Sequence, residues 1–187
     1  MNLGKMHGNY AHTWWTPEEW MEWAFITMGS EYLWDPCPMD YEGGGHESGL
    51  ERRWAKRTYC NHPGGRGAAQ EWWAKYQLEQ ARHLGAMRFV WCAFSVEQFR
   101  HLRQSPFELP GWIVWPRDRI GYVWGGPDMG MANGKLVECV GEYEDLEVHR
   151  KHGERQKSPG QWSAFWTNCE PANPPGNCMI TRTGGRG

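Results

Sequence analysis

The stretch Thr58–Trp73, TYCNHPGGRGAAQEWW, decides the fold. A short β-forming run, Arg57–Cys60, stops at the polar Asn61, and His62-Pro63-Gly64-Gly65 follows. Near Ala68 the hydrophobic period changes from two to between three and four. That order spells strand, tight loop, helix, a unit that builds parallel sheets.

Working outward, the same alternation recurs. Upstream, TPEEWMEWAFITM places Trp20, Trp23, Ala24 and Thr27 on one helical face. Thr16, Pro17 and Glu19 there have the spacing of a capping box, and Gly29-Ser30 ends the segment. Tyr32–Trp34 is a short strand that stops at Asp35-Pro36. Downstream, Ala69, Trp72, Trp73, Tyr76 and Leu84 share one side of a helix closed by Gly85, although Gln80 interrupts the stripe. MRFVWCAF, 87–94, is a nearly continuous apolar run, as expected of a strand covered on both faces. A short helix capped by Ser95 follows, then strands in GWIVWP and RIGYVWGG, and a last one in QWSAFWTN. The expected architecture is α/β: a mostly parallel sheet with helices on both faces and a terminal antiparallel hairpin. Residues 1–13 form a loose arm, 14–170 one domain with an insert at about 127–157, and 171–187 a loop-like tail.

The bulk numbers agree with one soluble domain. The chain has 187 residues, 40% hydrophobic and 22% charged, enough for a proper core. A net charge of −2 gives no global basic field, so any nucleic-acid contact must come from a local patch. Fourteen tryptophans exceed what such a core needs; most belong inside and a small minority at a site. The six cysteines show no C-x-x-C pair, which suits reduced thiols of a cytoplasmic protein. Cys37, Cys60 and Cys92 sit in or at the end of expected strands. Zinc at His46 and His62 lacks the paired spacing, and no metal is expected. There is no apolar leader and no run of about 18 apolar residues, so neither signal peptide nor membrane span is expected.

The order of signals carries a resemblance. TPEEW, LWDPC, ESGLERRW and YCNHPGG follow one another, with Gly49, Leu50 and Trp54 just before the strand that ends in Asn61-x-Pro63. This resembles the phage-type DNA adenine-N6 methyltransferases, in which a TP helix, an LDP strand end, a DGL…W stretch and NPPY occur in that order. FVWCAFSVEQFRHL and SPGQWSAFWT look like later parts of the family; the likeness spans residues 13–125 and 158–168. It implies a Rossmann-like class I methyltransferase fold, S-adenosylmethionine as cofactor, double-stranded DNA as partner, and a phage or prophage gene acting in a bacterial cytoplasm. Asp35 and Pro36 would face the methionine end of the cofactor, with Thr16 and Pro17 lining the same pocket and Glu47 loosely matching a family acid.

Adenine's exocyclic nitrogen is a poor nucleophile because its lone pair is delocalised into the ring. Asn61 and the His62 backbone carbonyl would accept hydrogen bonds from it, and Pro63 is retained from the family motif. Gly64 stands where the family has the aromatic that catches the flipped base, so His62, Tyr59 or a tryptophan would have to replace it. Otherwise the chain is a catalytically silent relative that binds DNA or a host protein. Arg52, Arg53, Lys56, Arg57 and Arg66 flank the motif and either touch phosphates or form a solvated surface. Asn61 and Asp35 each have a plain alternative as turn residues.

Overall fold

A computed structural model describes residues 14–36, 49–62, 67–93, 95, 97–124, 142–143 and 162–184, with backbone alone at 14–15, 123–124 and 142–143. The elements in chain order are β1 (Trp14–Trp15), α1 (Glu18–Met28), β2 (Leu33–Trp34), β3 (Arg57–Asn61), α2 (Ala68–Arg82), β4 (Arg88–Ala93) and α3 (Glu97–Arg100). Then come β5 (Gly111–Pro116), β6 (Val123–Trp124), β7 (Glu142–Tyr143), β8 (Ala164–Thr167) and β9 (Cys178–Thr183). The fold is mixed α/β with one open sheet, in the order β7-β2-β3-β4-β8-β5-β9; β1 and β6 form a separate antiparallel ribbon.

Sheet direction departs from the expectation. β2–β3 and β3–β4 are parallel, while β2–β7, β4–β8, β5–β8 and β5–β9 are antiparallel. β8 runs between β4 and β5, so β5 points the same way as β2, β3 and β4. The expected terminal hairpin is not one, because β5 lies between β8 and β9. The tail expected as loop supplies β9, whose residues 178–183 pair along the whole of β5.

Two cores, one on each face, hold the helices. On the first face α1 buries Trp20, Met21, Trp23, Ala24, Phe25 and Met28 against Tyr59, Val90, Cys92 and Phe165. Trp20 stacks on Phe165 at 4.4 Å. α1 ends at Gly29, whose φ of +60° turns the chain so that the Ser30 N–H reaches the Phe25 carbonyl, while the Gly29 N–H donates to the Ile26 carbonyl. On the second face α2 sets Trp72, Trp73 and Tyr76 against Phe89, Trp91 and Trp166. Among the described residues eight tryptophans are buried, in line with the composition. Leu84 is a correction: it is 93% exposed, in a left-handed turn beyond the end of α2. The carboxyl ends of β2, β3 and β4 lie on one edge of the sheet, joined there by the end of β5 and the start of β8. Ligands of such sheets bind at that edge.

Candidate functional site

Strand alternation divides the residues at the end of β3. Tyr59 and Asn61 share the α1 face, whereas Cys60 and His62 face α2. Thr16, just ahead of α1, meets the first pair. Its hydroxyl lies 2.7 Å from Tyr59 Oη, and Asn61 donates from Nδ2 to Thr16 Oγ1 at 3.3 Å. The expected capping box does not form: Pro17 is the N-cap of α1 and no side chain caps the helix. A buried phenol and a buried amide left without partners would each cost about 1–3 kcal/mol, which favours turning Thr16 toward the sheet.

Below Thr16 lies a chain of neutral polar groups. Tyr59 hydrogen-bonds Cys92, Cys92 Sγ is 3.0 Å from Tyr122 Oη, and Tyr122 Oη is 2.8 Å from Ser163 Oγ. Burial pushes the Tyr59 and Tyr122 hydroxyls well above their usual range, and the Cys92 thiol up to about 12. All three stay protonated at neutral pH, so the chain works as a strut and holds no charge. Above it, Asn61 Oδ1 is buried and accepts no hydrogen bond among the described residues.

Asp35 is 3% exposed at the end of β2. Trp34 pairs with Thr58, which sets Asp35 beside Tyr59, and alternation from the buried Leu33 puts Asp35 on the α1 face with Asn61. Pro36 is also buried. Its carbonyl rests on Gly49 so closely that a Cβ at 49 would lie 1.7 Å from the oxygen. The Gly49 carbonyl accepts a 2.7 Å bond from Trp54 Nε1, and Trp54 packs on Trp34, Trp72 and Phe89. The Gly49-Leu50…Trp54 stretch therefore pins the end of β2, a structural reason for residues that the sequence showed only as a motif.

Other expected residues fall elsewhere. The His62 ring is 1% exposed, packs on Trp91 at 4.9 Å and sits 3.3 Å from Gln98 Oε1. Tyr59 is equally enclosed. Neither ring can stack a base, which corrects two of the three replacements considered for the missing aromatic. Arg57 stands at the start of β3, about 13 Å from Asn61 at 3.3 Å per residue, and donates to the Met28 carbonyl. Arg52, Arg53 and Lys56 are exposed in the segment that leads from Gly49 to the start of β3. Glu47, Pro63, Gly64, Arg66, Cys37 and His46 lie outside the described residues, as do the 1–13 arm and, apart from β7, the 127–157 insert. Tyr122, Ser163 and Cys92 were missed as site supports, since nothing local in the sequence links them to Asn61.

No family model, curated protein or solved structure matches this chain.

Proposed function

We propose that the chain is an S-adenosylmethionine-dependent DNA adenine-N6 methyltransferase with a Rossmann-like class I fold. One observation carries the reading: the buried Oδ1 of Asn61 at the carboxyl end of a parallel strand, without a hydrogen-bond partner among the described residues. Such an acceptor costs about 1–3 kcal/mol and calls for a reason. An exocyclic amine entering from the sheet edge would satisfy it. Asn61 Oδ1 would accept one N6–H and the His62 carbonyl the other. Both draw the nitrogen toward tetrahedral geometry and stabilise the positive charge that grows on it. The Thr16–Tyr59 strut fixes the amide, so little reorganisation is left for the reaction itself.

The residues present suit the cofactor. Asp35 offers a carboxylate on the same face and edge as Asn61, and Pro36, locked on Gly49, fixes its position. When bound there, the cofactor supplies an electrophilic methyl group on a sulfonium. Asp35 would hold its polar end and Thr16-Pro17 would bound the pocket, keeping the methyl in line with the amine.

Replacing Asn61 by alanine should cost about 3–4 kcal/mol in the chemical step, with cofactor affinity hardly changed. Full single-turnover activity in Asn61→Ala would remove the assignment.

A second reading, a silent relative that binds DNA, is favoured by the enclosed rings of His62 and Tyr59, which leave the flipped base without either platform. Calorimetry separates the two. An enzyme should give heat with S-adenosylmethionine, and Asp35→Ala should lose most of it. No heat from the wild type selects the silent binder.

A further inference from the structure

The α2 face carries a groove that the methyl-transfer site does not use. It encloses about 450 Å³ and is lined by Gln70, Trp73 and Gln77 of α2 and by His101, Arg103 and Gln104 of the turn after α3. Hydrogen bonds tie the two walls together. Trp73 Nε1 donates to the Gln104 carbonyl at 3.0 Å, Gln77 Nε2 to Gln104 Oε1 at 2.9 Å, and Gln70 Nε2 to the His101 carbonyl at 3.4 Å. Gln104 is held at φ +51°, a region that side chains other than glycine's rarely use. With its Oε1 engaged, its amide N–H groups remain as donors.

The chemistry of the lining is one-sided. No carboxylate lines the groove, and Arg103 pairs with none among the described residues. Lys75, Arg82 and Arg100 nearby are each matched to a glutamate. An unmatched guanidinium, an imidazole and an amide donor on a fixed turn suit a polyanion. Amide and guanidinium donors of this kind are among the groups that hold nucleic-acid phosphates. Gln70, at one end of the lining, lies in the first turn of α2, which starts six residues after His62 at the carboxyl end of β3.

We infer that this groove binds the sugar-phosphate backbone of duplex DNA flanking the base presented to Asn61, with Arg103 as the main phosphate contact. The inference rests on the methyltransferase reading for its partner. It differs from the sequence expectation, which gave the phosphate contacts to Arg52, Arg53 and Arg66.

Fluorescence anisotropy with a labelled duplex, between about 50 and 200 mM salt, tests it. Arg103→Gln should weaken binding several-fold and lower the slope of log affinity against log salt by about 0.9, the loss of one phosphate contact. Arg103→Lys should keep the slope. Arg182→Gln, on edge strand β9, should leave it unchanged. An unaltered slope in Arg103→Gln, or an equal loss in Arg182→Gln, would overturn the groove assignment while the wild type still bound duplex. A wild type with no affinity for duplex would overturn the groove and the DNA reading together.

Discussion

Thr16 occupies a position where a hydroxyl ordinarily caps a helix, and it serves the sheet. Its local sequence, Thr-Pro-Glu-Glu, shows the cap partners two and three residues on; its actual partners, Tyr59 and Asn61, are 43 and 45 residues away and no local pattern displays them. The candidate site was thus legible as a set of motifs and illegible as a set of bonds. Thr16→Val keeps the shape and removes the hydroxyl. It should cost about 1–3 kcal/mol of stability, because Asn61 Nδ2 loses the Thr16 acceptor and Tyr59 Oη keeps only Cys92. On the proposed methyltransferase reading it should also slow methyl transfer without changing cofactor affinity, whereas Thr16→Ser should retain both. Denaturant titration and single-turnover rates check this; a Thr16→Val protein as fast as wild type would show that Thr16 does not hold Asn61.

Among the elements, α2 shows what periodicity can and cannot tell. Its Trp72–Trp73–Tyr76 stripe was readable from spacing alone, but Lys75 and Glu79 on the buried side were not. Pattern reading sends charges to solvent, and only the fold reveals that these two are matched. Glu79 is 1% exposed, accepts from Lys75 Nζ at 2.7 Å and from the Trp54 amide at 3.2 Å, and also pairs with Arg82. Burial acts to raise its carboxyl, but the bonds from Lys75 and Trp54, the Lys75 charge and Arg82 together hold it below the usual carboxylate range. The unfolded chain therefore takes up this proton at higher pH than the folded one does. The contribution is complete above the unfolded value of about 4.5 and is lost as pH falls through the lower folded value. Glu79→Ala should cost about 3–5 kcal/mol at neutral pH, since it strands the buried Lys75. Glu79→Gln should flatten the acid limb of stability against pH. An acid limb identical to wild type in Glu79→Gln would contradict this account of the cluster.

At the scale of the whole molecule, the strand–helix alternation through residue 100 foretold the parallel β2–β3–β4 core and its two helical layers. The rest depended on contacts between distant parts of the chain. β8 inserts between β4 and β5, and CMITRT, set among prolines and glycines that suggested a loop, becomes the edge strand on β5. Each needs a partner more than 50 residues away, so neither leaves a local trace. The result gathers Asp35, Asn61 and the start of β8 on one edge, where the Asn61 oxygen has no hydrogen-bond partner among the described residues. The central claim is that this oxygen receives an adenine amine during methyl transfer. Mass spectrometry of nucleosides from duplex DNA incubated with S-adenosylmethionine and the purified protein tests it most directly. N6-methyladenine should form with the wild type and fall at least about a hundredfold with Asn61→Ala; equal yields from both, or methyl groups on cytosine alone, would contradict it.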